Sequence, residues 1–269
     1  MTVDDLLAAS GRGVSMTILD DGTDVVVKGG EPSAVAAEAA GLRWLAEPGA
    51  VRVPEVLGEA EGRMVSTRVP SGRADAAAAE RFGRGLAAMH AAGAPAFGSP
   101  PPGGPVEAWI GDARMVNATG ERWPAWYAEH RVLPYARRAR DQGTFTADDV
   151  ALVERACARF DAVAGPDEPP ARLHGDLWSG NVLWSGGEGW VIDPAAHGGH
   201  RETDLAMLAL FGAPQLDTIV AAYDEAAPLA DGRRDRVGLH QLFPLLVHTV
   251  LFGGGYGARA LTVCERLAT

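Results

Sequence analysis

Nine residues near the middle of the chain, Leu173–Asn181 (LHGDLWSGN), place a histidine, an acid and an asparagine at short fixed spacings, and Asp193 in VIDP follows twelve residues after Asn181. A carboxylate and an amide oxygen together suit Mg²⁺, a hard cation that takes oxygen ligands. Asn181 and Asp193 therefore read as metal ligands. Asp176, five residues before Asn181, is placed to take the proton of an acceptor hydroxyl as a general base. The pattern H-x-D-x-x-x-x-N followed by a metal-binding acid is that of phosphoryl transfer from a nucleotide to an alcohol. His174 reads as a group that positions this loop, and Asp204 as an acid that bonds the loop backbone.

Such a site also needs a cation for the nucleotide phosphates. Of 24 basic residues only Lys28 is a lysine, so arginine has not replaced it where a compact ammonium is needed. Glu38, ten residues on, can hold it by a charge-assisted bond. Gly11-Arg12-Gly13 offers a partial glycine loop, with Met16 where a third glycine would stand. Gly11 and Gly13 are its candidate phosphate-cradling residues. No glycine run precedes Lys28, so a Walker A loop is excluded. Trp178, two residues beyond the presumed base, can stack on a sugar face or an amine. His197 and His200 lie in a glycine-rich turn without a third nearby ligand, so they do not read as a metal site. Ser179 lacks the G-x-S-x-G context of an esterase nucleophile.

The elements that must position these groups are of two kinds. Val14, Met16 and Ile18 alternate with Ser15 and Thr17, Asp21-Gly22 marks a hairpin turn, and Asp24–Lys28 returns as a strand ending on the lysine. Pro32 and Ser33 open a helix to about Ala46, and strands fit 55–59 and 63–69. After Gly72 the pattern turns helical: 75–92, then 123–141 with a bend at Pro134. A Thr146/Asp149 capping box opens a helix reaching Val163. Gly93–Pro105 is a loop, short β segments surround the LHGDLWSGN loop, and helices resume from Arg201. The expected architecture is α+β and bilobal. Residues 1–70 form a small β-rich nucleotide lobe, and residues 71–269 a larger helical lobe carrying the catalytic loop and acceptor site, with a cleft between them.

Composition narrows the partners. At 269 residues and 47% hydrophobic, the chain is ordinary globular protein. A net charge of −11 removes the driving force for nucleic-acid binding. No apolar run reaches the roughly 20 residues of a membrane helix, and the acidic start shows no secretory signal. Two cysteines without metal spacing fit a reducing cytoplasm. Oligomeric state is left open, with a monomer as the working expectation.

The motifs together resemble the fructosamine-3-kinase (ketosamine kinase) family, within the protein-kinase-like and aminoglycoside-phosphotransferase-like group. LHGDLWSGN is similar to its catalytic loop, Asp193–Met207 (DPAAHGGHRETDLAM) to its metal-binding segment, Trp123–Leu133 (WPAWYAEHRVL) to its W…F…RL helix, and Leu242–Tyr256 (LFPLLVHTVLFGGGY) to its C-terminal signature. The likeness runs from about Val25 to Tyr256. It departs at the glycine loop, at His197-Gly198 where the family shows aromatic residues, and at Ala213-Pro214 in place of a Gly-aromatic pair.

The resemblance implies a protein-kinase-like fold and an ATP- and Mg²⁺-dependent kinase acting on the sugar 3-hydroxyl of ketosamines, free or on protein lysines. Asp176 would be the base, Asn181 and Asp193 the Mg²⁺ ligands, and Lys28 with Glu38 the phosphate pair. Thr67, Arg68 and Val69 would meet the nucleotide base, and Trp178 and His197 the substrate. Gly175 stands where regulated protein kinases carry an arginine, and only ten residues, Pro194–Thr203, separate Asp193 from Asp204. Both point to a small or locally protruding acceptor. The rival readings are an aminoglycoside- or choline-type phosphotransferase and a catalytically inactive kinase-fold binding protein.

Overall fold

The computed structural model describes residues 1–269. It opens with an element that the sequence reading lacked, helix α1 (Val3–Ala8), capped by Thr2 and Asp5 in a reciprocal capping box. Strands β1 (Gly13–Ile18) and β2 (Asp24–Gly29) follow, joined at Asp21-Gly22, where Gly22 takes φ +86°. Helix α2 (Pro32–Ala46) has Pro32 in its first turn and Glu31 as its cap. Strands β3 (Val56–Ala60) and β4 (Arg63–Thr67) complete a four-stranded antiparallel sheet of order β1-β2-β4-β3. The last strand thus stops at Thr67, short of Val69.

Directly paired residues point to one face of a sheet. Val25, Val27 and Val65 share one face and pack with Leu6 of α1 and Leu19. The opposite face carries Lys28 paired with Met64, and Met64 packs with Val35, Ala39 and Leu42 of α2. Lys28 therefore emerges on the α2 side, where Glu38 can meet it.

The helical part begins with α3 (Ala76–Ala91). A short hairpin, β5 (Glu107–Ile110) and β6 (Ala113–Val116), follows the Pro/Gly-rich loop in a stretch to which the sequence reading assigned no element. The helix expected over 123–141 is three pieces: α4 (Trp123–Tyr127), a π-helical turn (Ala128–Val132) and α5 (Leu133–Asp141). Pro134 cannot donate to the carbonyl of His130, and Arg131 Nη1 donates to that carbonyl instead at 3.2 Å. The Thr146/Asp149 capping box is present on α6 (Ala147–Cys157), which ends before the short α7 (Phe160–Val163).

Strand β7 (Ala171–Leu173) leads into the LHGDLWSGN loop, and the hairpin β8 (Val182–Ser185) and β9 (Glu188–Val191) leads out of it. Strand β10 (His197–Gly199) returns to pair with β7. Four helices finish the chain: α8 (Glu202–Phe211), α9 (Leu216–Ala226), α10 (Arg233–Phe252) and α11 (Gly255–Leu267). α3 packs along α9, and α10 along α8, α11 and α5. No helix is long and apolar enough to cross a membrane.

Candidate active site

The twelve-residue gap between Asn181 and Asp193 is closed by the β8–β9 hairpin. Val182 pairs with Val191, and Ile192 N–H donates to Asn181 O at 3.1 Å, which sets Asn181 and Asp193 side by side. Asn181 Nδ2 donates to the Asp176 backbone carbonyl at 2.8 Å and to Asp176 Oδ2 at 3.1 Å. One asparagine side chain thus ties the Asp176 backbone and carboxylate together. Asp193 sits in the left-handed region at φ +55°, a conformation that Asp tolerates better than most side chains.

The loop is pinned from below. Asp204 at the start of α8 accepts from the His174 and Gly175 backbone N–H groups at 2.8 and 3.0 Å. It also accepts from His90 Nε2 at 3.1 Å, and Tyr223 lies 2.8 Å from His90 Nδ1. Burial pushes the Asp204 carboxyl up, but the His90 and backbone donors outweigh it and hold it below the usual carboxylate range. His174 is fully buried, with Nε2 donating to Ile192 O at 2.9 Å and Nδ1 accepting from Asp176 N–H at 3.2 Å. Both are positioning roles. Gly175 takes φ +82°, and a Cβ there would lie 2.1 Å from Ala195 O. An arginine has no room at this position.

Lys28 Nζ bridges two acids, Glu38 Oε1 at 2.6 Å and Asp193 Oδ1 at 2.5 Å. The second bond joins the sheet to the catalytic segment. Burial alone would lower the ammonium's pKa, yet the two carboxylates raise it, so Lys28 stays charged. Burial pushes Glu38 up. Burial, with Asp193 and Asp204 nearby, pushes Asp176 up to about 7, against the hydrogen bond from Asn181. A carboxylate near neutrality is tuned for taking and returning a proton at working pH.

These groups share one cleft of about 430 Å³, lined by Lys28, Glu38, Asp112, Asp176, Asn181 and Asp193 among others. Four carboxylates face one ammonium there, a balance that opposes a polyanion entering without a compensating cation. Asn181 Oδ1 and Asp193 Oδ2 carry no hydrogen bond. Two free hard oxygens, one neutral and one anionic, fit Mg²⁺. Trp178 also lines the cleft, 39% exposed, its indole edge-to-face with Phe211 at 6.0 Å.

Several expected site residues lie elsewhere. His197 is 2% exposed, donates through Nδ1 to Ala195 O at 2.8 Å and tilts against Trp126. It is a packing residue outside the cleft lining, because β10 pairing with β7 turns it inward. Gly11 and Gly13 stand beside Gly29 and do not line the cleft. The Gly11 carbonyl accepts from Arg63 Nη1 at 3.1 Å, and a Cβ on Gly29 would come within 2.2 Å of it. Thr67, Arg68 and Val69 follow the sheet out of this cleft. The backbone N–H groups of Thr67 and Arg68 donate to Glu55 and Asp24, whereas Val69 bonds nothing within the chain.

Sequence reasoning missed three groups. Val14, Met16 and Ile18 are about 60% exposed and share the face of Lys28 through pairing with β2. Their alternation was visible, but not that α2 covers the Met64 side of this face and leaves the β1 edge open. His248, half-buried, lines the cleft with Nδ1 donating to Pro244 O at 2.7 Å. His200 does acquire companions, Glu202 and His240, all within 4.8 Å. Arg236 already engages both Glu202 oxygens, at 2.6 and 3.1 Å, so the cluster is a buried ion pair.

Comparison with known proteins agrees with this geometry. A sequence model of the fructosamine kinase family matches residues 14–269. A probable ketoamine kinase of Synechocystis is 34% identical over 86% of this chain and 78% of its own length. The chloroplastic protein-ribulosamine 3-kinase of Arabidopsis thaliana is 31% identical over 87% of this chain and 72% of its own. A crystal structure of a candidate fructosamine-3-kinase from Thermobifida fusca superposes with a TM-score of 0.90 at 45% identity, covering 98% of this chain and 97% of that one. At the level of fold alone, an aminoglycoside phosphotransferase and the choline kinase of Streptococcus pneumoniae each superpose with a TM-score of 0.62, at 18% and 15% identity, over 97% of this chain and 92% of theirs.

Proposed function

Because the chain belongs to the fructosamine kinase family and is thus an ATP-dependent phosphotransferase acting on a sugar hydroxyl, we propose that its acceptor is a ketosamine, phosphorylated at the sugar 3-hydroxyl. The observation that carries this is the meeting of Asp176, Asn181, Asp193 and Lys28 on one cleft, with Lys28 held between Glu38 and Asp193.

Asp176 orients the acceptor hydroxyl and takes its proton. Lys28, kept charged by Glu38, binds nucleotide phosphate oxygens. A divalent ion held by Asn181 and Asp193 would offset charge on the phosphoryl oxygens. Val14, Met16 and Ile18 offer an apolar ceiling on the Lys28 face for the nucleotide base, and the free backbone groups of Val69 can meet its polar edge. Trp178 stacks on the sugar or its amine. Phe252, 68% exposed at the cleft wall, leaves the acceptor end open enough for a sugar carried on a protein lysine. The short Pro194–Thr203 segment supports an acceptor of this kind over an extended peptide.

The test is a panel of alcohols with MgATP: fructosyl-lysine, ribulosyl-lysine, glycated protein, an aminoglycoside and choline. Phosphorylation of the ketosamines supports the reading. Turnover of the aminoglycoside or choline with no ketosamine turnover overturns it.

A further inference from the structure

Arg131, in the π-helical turn, is fully buried and meets no carboxylate. Its Nη1 donates to the carbonyls of Val116 and His130 at 2.8 and 3.2 Å, and its Nη2 to Asn117 Oδ1 at 2.9 Å. Its guanidinium lies 4.6 Å from the centre of the Trp126 ring and 5.6 Å from that of Phe243. A buried cation without an anionic partner is costly, so its placement calls for a reason.

That reason is found at Asn117. A guanidinium has only donors, so the amide atom facing it must be the oxygen, and the NH₂ group is turned the other way. Asn117 Nδ2 is buried without any hydrogen-bond partner. The residue is 2% exposed and lines the cleft together with Asp176, Trp178 and His248. An unmet buried N–H is destabilising, and Arg131 prevents the amide from flipping to relieve it. The backbone adds to the fixation, as Asn117 N–H donates to Val106 O at 2.8 Å across the base of the β5–β6 hairpin.

We propose that Asn117 is an acceptor-recognition residue: its Nδ2–H donates to an oxygen of the sugar bound beside Asp176, and Arg131 is the positioning residue that aims it. The inference rests on the acceptor being a sugar, as proposed above. A ketosamine presents several oxygens besides the reacting one. Choline, apart from its reacting hydroxyl, presents none.

The test measures KM for fructosyl-lysine and for ATP in the wild type, Asn117→Ala, Asn117→Asp and Arg131→Lys. Asn117→Asp keeps an oxygen toward Arg131 and exchanges the donor for an acceptor. Both Asn117 variants should raise the fructosyl-lysine KM about tenfold or more, the scale of one lost hydrogen bond, with the ATP KM within about twofold. Arg131→Lys should do the same in the wild-type background and add little on top of Asn117→Ala. An unchanged fructosyl-lysine KM in the Asn117 variants overturns the recognition role, as does rescue by aspartate, which would mean that only the Arg131 contact matters. Equal rises in both KM values for Arg131→Lys overturn its positioning role. A wild type that uses another sugar of the panel overturns the ketosamine reading alone, and Asn117 is then judged on that sugar's KM by the same criterion. A wild type that uses choline alone, or no alcohol, overturns both.

Discussion

Asp176 carries two demands that oppose each other. Its carboxyl is pushed up to about 7 by burial and by neighbouring acids, which suits proton transfer but makes the ionised form unfavourable in the folded chain. In the proposed role as base Asp176 must be deprotonated, so kcat/KM should fall as pH drops below about 7, read from a pH–rate profile. Asp176→Asn should lower kcat about 10²–10⁴-fold, the usual contribution of a general base, with ATP binding retained by calorimetry. The stability consequence has the opposite sign. A folded-state pKa above the unfolded value of about 3.9 means that the wild type loses stability as pH rises from about 4 to about 7. Asp176→Asn should therefore be the more thermostable protein at pH 8, with the gain vanishing near pH 4. That Asp176, Asn181 and Asp193 would meet was legible because their spacing lies within one loop and one hairpin. Asn117 was not legible, since its meaning depends on Arg131, fourteen residues away, turning its amide. His197 misled because a family position was read as a direction, while β10 pairing turns the ring inward.

The catalytic loop and the β5–β6 hairpin give the cleft its walls. Trp178 folds back over Gly180, where a Cβ would come within 2.2 Å of the indole. Gly180→Ala should displace that ring and raise the acceptor KM several-fold, leaving the far-ultraviolet circular dichroism unchanged; an unaltered KM would show that Trp178 does not touch the acceptor. The hairpin reaches from the sheet-rich part, where Trp109 Nε1 donates to Ser33 Oγ at 3.0 Å, to α10, where Gly111 approaches Leu251. Strands β1 and β2 and helix α2 were legible from alternation and from the Pro32 start. The β5–β6 hairpin was not, because four-residue strands are too short to establish a period. The π-helical turn escaped for another reason: Pro134 announced a disturbance, but only the buried Arg131 decides what form it takes.

At the scale of the whole molecule, buried ion pairs hold the helical part around the loop. Arg236 and His240 hold Glu202 at about 2 despite burial. Glu202→Gln leaves Arg236 uncompensated and should cost about 3–5 kcal/mol in chemical denaturation at pH 7. The deficit should be full above pH 4.5 and shrink as the wild-type carboxyl protonates toward pH 2. Nucleotide binding should stabilise the molecule by mass action. MgATP should raise the melting temperature more than ATP with EDTA does, and Asp193→Asn should abolish that difference. The bilobal design was legible from the change of pattern after Gly72, whereas the bond between its two parts was not. Lys28 on the sheet grips Asp193 on the far side of the cleft. On the proposed reading, nucleotide loading would be a counterion exchange: Lys28 would turn from Asp193 to phosphate oxygens, and Asp193 would be freed to hold a divalent ion. Such an exchange would keep the local charge nearly constant, a useful property in a chain of net charge −11 that must admit a polyanion.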